Sequence, residues 1–145
     1  KYNKKDRYRR VGALKTFMKY VFPIVTIIIF VLAIWLSHQP GDISGRESAH
    51  LAELLGVSDA FLRSACHYAF FLLITFCFGM SLVLWEKPVW WVLFIFVLCW
   101  LDEASKPMII GRHFSWIDVG KNAIGALGGM LFVFLIQWIQ HKIIG

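Results

Sequence analysis

The 145-residue sequence is poor in charge. Only 17% of it is Asp, Glu, Lys or Arg, while 59% is hydrophobic and the mean hydropathy is +0.65. A soluble domain is usually about 45–50% apolar, so this deficit excludes an ordinary solvated globule and points to one small integral membrane domain. Cysteine is also scarce. Cys66, Cys77 and Cys99 all lie in apolar runs, their number is odd, and no metal-ligand spacing joins them, which leaves them as small packing residues. There is no internal repeat, low-complexity linker, nucleophile motif or phosphate-binding fingerprint. No metal, cofactor or catalytic residue is therefore assigned. Acidic residues number nine against 15 basic ones, a formal charge of +6. The basic residues gather at the N-terminus, so the excess indicates membrane lipids as partners and not nucleic acid.

What is abundant is long apolar sequence. Four segments stand out: Phe17 to Ser37, Ser58 or Ser64 to Trp85, Pro88 to between Leu101 and Pro107, and Val119 to Ile139. A helix needs about 20 residues to cross a hydrocarbon core. The expected fold is all-α: a four-helix membrane bundle over residues 17–145, preceded by a basic segment over 1–16. That segment resembles the start of a signal peptide, but the apolar run after it is too long and no small-x-small site precedes Ser37–Pro40. An uncleaved anchor is expected, with Pro23 in its first turn or two. The chain starts at Lys1 without methionine, so further natural residues are expected before it.

Lys and Arg set the orientation. Lys1, Lys4, Lys5, Arg7, Arg9, Arg10, Lys15, Lys19, Lys87 and Lys142 fall on one side. Arg46, Arg63, Lys106, Arg112 and Lys121 fall on the other, a ratio of ten to five. The richer side faces the cytoplasm, so both termini are expected inside and the polar connections 38–63 and 104–118 outside. In the first connection, Gln39-Pro40-Gly41-Asp42 reads as a turn, Ser48–Leu55 as a short interfacial helix, and Ser58 as the N-cap of the next helix. Trp35, Trp85, Trp90, Trp91, Trp116 and Trp138 fall near helix ends, as an interfacial aromatic belt would.

The polar residues converge at that outer end. Ser37, His38 and Gln39 close the first helix. Arg63 and His67 lie four apart on one face of the second, and Asp118 and Asn122 four apart at the start of the fourth. Asp102 and Glu103 come about 22 Å along the third helix from Pro88, below the interface of a core about 30 Å thick. Ionisable groups at such a depth mark a function or a buried ion pair. Arg112 is the expected partner of the carboxylates, because its guanidinium binds them with two prongs and stays charged. Its loop would then fold over the helix ends.

Each feature also has a structural reading. Ser115-x-x-Asp118 matches a capping box. Asp102 or Glu103 with Lys106 matches a helix-surface ion pair. Gly125 and Gly129, with Gly128, suit close helix packing. His50 and His113 suit solvated loops. The whole polar set would also serve as a satisfied network holding four helices in register.

At these residues the chain resembles the VanZ-like family of small bacterial membrane proteins, over about Ser37 to Gly129. The first signature corresponds to Ser37-His38-Gln39-Pro40-Gly41 with Ser44 and Ser48, and the second to Arg63-Ser64-Ala65-Cys66-His67-Tyr68. The third corresponds to Asp102-Glu103, Gly111-Arg112, Ser115, Asp118, Asn122, Gly125 and Gly129. His38, Ser64, Lys106 and Ile110 depart from the family pattern. The resemblance implies a multi-pass protein of the bacterial cytoplasmic membrane with a role in resistance to glycopeptide antibiotics of the teicoplanin type.

Two functions follow. One is a non-enzymatic protein whose outer pocket binds an envelope component, a cell-wall precursor or a glycopeptide antibiotic. Arg112, Lys121 and the N-terminal end of the fourth helix would meet a phosphate or carboxylate. The alternative is a membrane enzyme acting on a lipid-linked envelope substrate at the outer leaflet. There His67 would be the acid/base, with Asp102 or Glu103 orienting it or holding a divalent cation.

Overall fold

A computed structural model describes the backbone of residues 4–144 and the side chains of residues 9–142, so part of the basic N-terminus lies outside the described residues. Those described are all-helical. α1 spans Lys4–Ser37, α2 Gly41–Leu55, α3 Asp59–Leu84, α4 Phe94–Ser105 and α5 Trp116–Ile144, with short 3-10 helices at Val89–Leu93 and Lys106–Met108. Among the described residues, three helices are long and apolar enough to cross a membrane: α1 over Arg9–Ser37, α3 over Asp59–Leu84 and α5 over Trp116–Lys142.

The third apolar segment is interrupted. Pro88, with φ −58° and ψ 119°, opens a five-residue 3-10 helix, and α4 proper has 12 residues. The 3-10 part rises about 10 Å and α4 about 18 Å. Together they come close to the roughly 30 Å of a hydrocarbon core. Trp90 and Trp91 stack with their ring centroids 4.7 Å apart beside this start.

α1 begins at Lys4, well before Phe17, so Pro23 lies inside the helix instead of in its first turns. Proline has no N–H to give the carbonyl four residues back, which here is that of Lys19. The indole Nε1 of Trp85 donates to that carbonyl at 2.7 Å. Tyr20 meets the Trp85 ring edge-on at 5.7 Å and the Lys19 ammonium lies 5.3 Å from it. The proline's defect is thus filled from the end of α3.

α3 is the central helix, packed along α5 on one side and α1 on another, with α2 also against it and α4 against α5. Ser58 caps it, its Oγ accepting from the Phe61 N–H at 3.2 Å. The approach of α5 to α3 depends on missing side chains. A Cβ at Gly125 would strike the Tyr68 carbonyl, and one at Gly129 the Leu72 carbonyl. In lipid, where apolar surface gains nothing by leaving one apolar medium for another, such close packing is a main source of association. Phe71, Ile74, Val92, Ile95, Cys99 and Ala126 form the core between α3, α4 and α5. Cys77 and Cys99 are buried, while Cys66 is exposed.

Candidate functional site

The site lies where the C-terminal ends of α1 and α4 meet the first turns of α3 and α5. The sharp α1–α2 turn supplies one wall. Pro40 fixes its backbone at φ −49°, and the Gly41 N–H donates to the Ile110 carbonyl at 3.1 Å. A Cβ at Gly41 would strike the Gly111 carbonyl, so glycine is required for the loop after α4 to lie against this turn. Gly111 has φ 73°, in the left-handed region where glycine carries no Cβ penalty.

That anchoring decides where Arg112 goes. Its Nε donates to the Gln39 carbonyl at 3.1 Å and its Nη2 to Ser44 Oγ at 2.9 Å. The loop does fold against the helix ends, but Arg112 is not the carboxylates' close partner. Lysines three residues away occupy them first. Lys106 Nζ donates to Glu103 Oε1, and Lys121 Nζ donates to Asp118 Oδ1 at 2.7 Å. The Glu103–Lys106 pair is not a surface pair: the two side chains are 0% and 6% exposed. Burial first, and then the charge of nearby Arg63, pull the Arg112 guanidinium below its usual pKa, while Glu103, Asp102 and Asp118 act the other way. It remains a cation at any physiological pH.

A polar chain joins the helices behind this. Asn122, fully buried on α5, donates from Nδ2 to Asp102 Oδ2 at 3.4 Å, and its Oδ1 accepts from His67 Nδ1 at 2.8 Å. His67 Nε2 lies 4.0 Å from Asp118 Oδ1. Ser115 caps α5, its Oγ accepting from the Asp118 N–H at 3.2 Å, which is half of the expected box. Asp118 turns to Lys121 with its carboxylate. His38, the departure in the first signature, bridges α1 to α4. Its Nδ1 donates to the Ile34 carbonyl at 2.9 Å and its Nε2 is hydrogen-bonded to Ser105 Oγ at 2.8 Å.

Among these groups is a cavity of about 260 Å³. Arg63, His67, Asp102, Lys106, Arg112, Asn122, Ser37 and Gln39 all line it. Its apolar wall includes Ala33 and Leu36 of α1, Leu51 of α2 and Phe70 of α3. Glu103, Asp118 and Lys121 are not among its lining residues, and Gly125 and Gly129 sit at the α3–α5 contact instead. Ser44, Ser48, Glu47 and Cys66 line it as well. Of these, only the serines carried a sequence signal, their spacing after Pro40. Ser37, Arg63 and Glu47 are among the polar side chains of the lining that lack partners among the described residues. Ser37 Oγ is buried without a hydrogen bond, and half-buried Arg63 makes no hydrogen bond or ion pair.

Comparison with protein-family models, curated proteins and solved structures finds no match for this chain. The site is therefore argued from its own chemistry. It joins two guanidinium groups, an oriented imidazole and a carboxylate–lysine cluster to an apolar wall on three helices.

Proposed function

We propose that this chain is a VanZ-like protein of a bacterial cytoplasmic membrane. It forms a four-helix bundle with both termini inside, and its outward pocket binds an anionic component of the cell envelope. Through that binding it acts in resistance to glycopeptide antibiotics of the teicoplanin type. The observation that carries the reading is the pair Arg63 and Arg112 beside the cavity. Neither is in a salt bridge with a carboxylate among the described residues, and the charge of Arg63 acts against that of Arg112. Like charges held together without close counter-ions favour an anion, and a guanidinium fits phosphate or carboxylate with two prongs. The unpartnered Ser37 hydroxyl adds a donor. Ala33, Leu36, Leu51 and Phe70 suit the apolar part of an amphiphile, so a lipid-linked phosphate fits both halves.

The test uses the whole protein in nanodiscs of neutral lipid. A short polyprenyl monophosphate, the matching neutral alcohol and teicoplanin are titrated separately. The phosphate is expected to bind with a salt-sensitive affinity that falls about tenfold or more in Arg63→Gln and in Arg112→Gln, as loss of a charge-assisted hydrogen bond implies. Binding of the alcohol equal to that of the phosphate, or no effect of either substitution, would overturn the anion reading.

A further inference from the structure

We propose that His67, Glu103 and Asp118 form a binding site for one divalent cation of the zinc or manganese type. They come from α3, α4 and α5, and one ligand atom from each lies within 4.8 Å of the others. No sequence spacing reveals such a set, because each helix contributes one residue.

The hydrogen bonds around the three residues leave acceptor atoms without donors. Asp102 only accepts when ionised, so it takes the amide N–H of Asn122 and turns the Asn122 oxygen to His67. An amide oxygen also only accepts, so the proton of the neutral imidazole sits on Nδ1 and the lone pair on Nε2. That lone pair faces Asp118 Oδ1 at 4.0 Å, an acceptor facing an acceptor. Each lysine neutralises one carboxylate oxygen, Lys106 on Glu103 Oε1 and Lys121 on Asp118 Oδ1. Glu103 Oε2 is left buried with no partner, on a side chain that is 0% exposed. A buried carboxylate oxygen without a donor is costly. A cation between Nε2 and the two carboxylates resolves both defects.

The donor set indicates which cation. An imidazole nitrogen with carboxylate oxygens suits zinc or manganese better than magnesium or calcium, which prefer oxygen alone. Bonds of about 2.0–2.2 Å require the ligands to draw together by roughly an ångström. His67 and Asp118 are part-exposed, with side chains 20% and 26% accessible, and they have the room that Glu103 lacks. Asp102 and Asn122 then act as the outer partners that fix the ring, as metal-bound histidines usually require. The site shares only His67 with the cavity lining and stands whether or not the arginines bind an anion.

The experiment uses full-length protein with a histidine-free tag, stripped with chelator and titrated with Zn²⁺, Mn²⁺, Mg²⁺ and Ca²⁺ separately. One equivalent of Zn²⁺ or Mn²⁺ is expected to bind and to raise the unfolding temperature, with Mg²⁺ and Ca²⁺ much weaker. Asn122→Ala should weaken binding about 10–100-fold, and His67→Ala should weaken it further. Glu103 variants are avoided because they strand Lys106 in the interior. On the wild type, pulsed EPR of bound Mn²⁺ should show coupling to an imidazole nitrogen, a readout that needs no variant. Folded wild-type protein that retains no equivalent, metal bound equally by His67→Ala, or an EPR signal without nitrogen coupling would each overturn the proposal.

Discussion

Replacing Lys106 by methionine removes one ammonium and little else, since the two side chains are similar in length. Glu103, fully enclosed, would lose the donor on Oε1 while Oε2 already has none. Asp102 is adjacent and also buried. Removing one member of a buried pair costs about 3–5 kcal/mol, because a charge is left without compensation. Against a typical stability of about 5–15 kcal/mol, that is enough to depopulate the fold under mild stress. Replacing both residues, Glu103→Met with Lys106→Met, removes the desolvation cost together with the attraction. That change is expected to be neutral or stabilising by about 1–4 kcal/mol.

The coupling is therefore the deciding quantity. The single changes should each be severe and the double change mild, which a double-mutant cycle measures directly. Unfolding by SDS in mixed micelles, followed by the fluorescence of the seven tryptophans, provides the free energies. Chelator is kept in the buffer so that bound metal adds nothing. If Lys106→Met lies within about 0.5 kcal/mol of wild type, as an ordinary surface change does, water reaches the pair and the buried-pair argument is refuted. Single costs that simply add in the double variant would refute it equally.

Three further outcomes are expected. In a cysteine-free background, an impermeant thiol reagent outside the cell should label a probe at exposed His113 and miss probes at Lys87 and Lys142; the reverse pattern would invert the topology. Gly125→Ala should destabilise by about 1–3 kcal/mol, since its Cβ meets the Tyr68 backbone. Gly120→Ala, with open space around it, should gain about 0.5–1 kcal/mol from helix propensity; equal unfolding energies for the two would dispose of the close-approach argument. Trp85→Phe should cost about 0.5–1.5 kcal/mol, the net worth of the hydrogen bond to the Lys19 carbonyl, and markedly less in a Pro23→Ala background, where residue 23 supplies its own N–H.

Hydropathy and length identify α1, α3 and α5 because a membrane span is a long, one-dimensional signal. The Ser58 cap is equally local. Partner choice is not. Arg112 has the right chemistry for a carboxylate, but Gly41 and Gly111 hold its loop against the α1–α2 turn, and lysines at i+3 lie closer to Glu103 and Asp118. The reach of α2 back to Gly41 was also hidden. Two glycines in its first turns argue against a helix, and only the nearby Gly111 backbone explains the first of them. The helical start at Lys4 and the pairing of Trp85 with Pro23 are likewise invisible to a pattern of polar and apolar letters. Both arise from contacts between helices or from continuation past the apolar run.

The arrangement of charge ties these pieces together. Asp102, Glu103, Lys106 and Asn122 are buried together, and the two arginines line the cavity without a salt bridge to a carboxylate. Burying ionised groups is expensive wherever water is excluded. A bundle needing only to hold four helices in register would do so at lower cost with small apolar residues, as it does along the Gly125–Gly129 seam. Buried charges do hold register in some proteins, but a register device would leave its members satisfied. Here Glu103 Oε2, Ser37 Oγ and the Arg63 guanidinium are not satisfied. The first lacks a cation or proton, and the third lacks an anion. The unmet charged groups lie at one end of the bundle, which is the physical reason to read this end as a binding site; the unpaired oxygen midway along α3, Thr75 Oγ1, is a neutral hydroxyl.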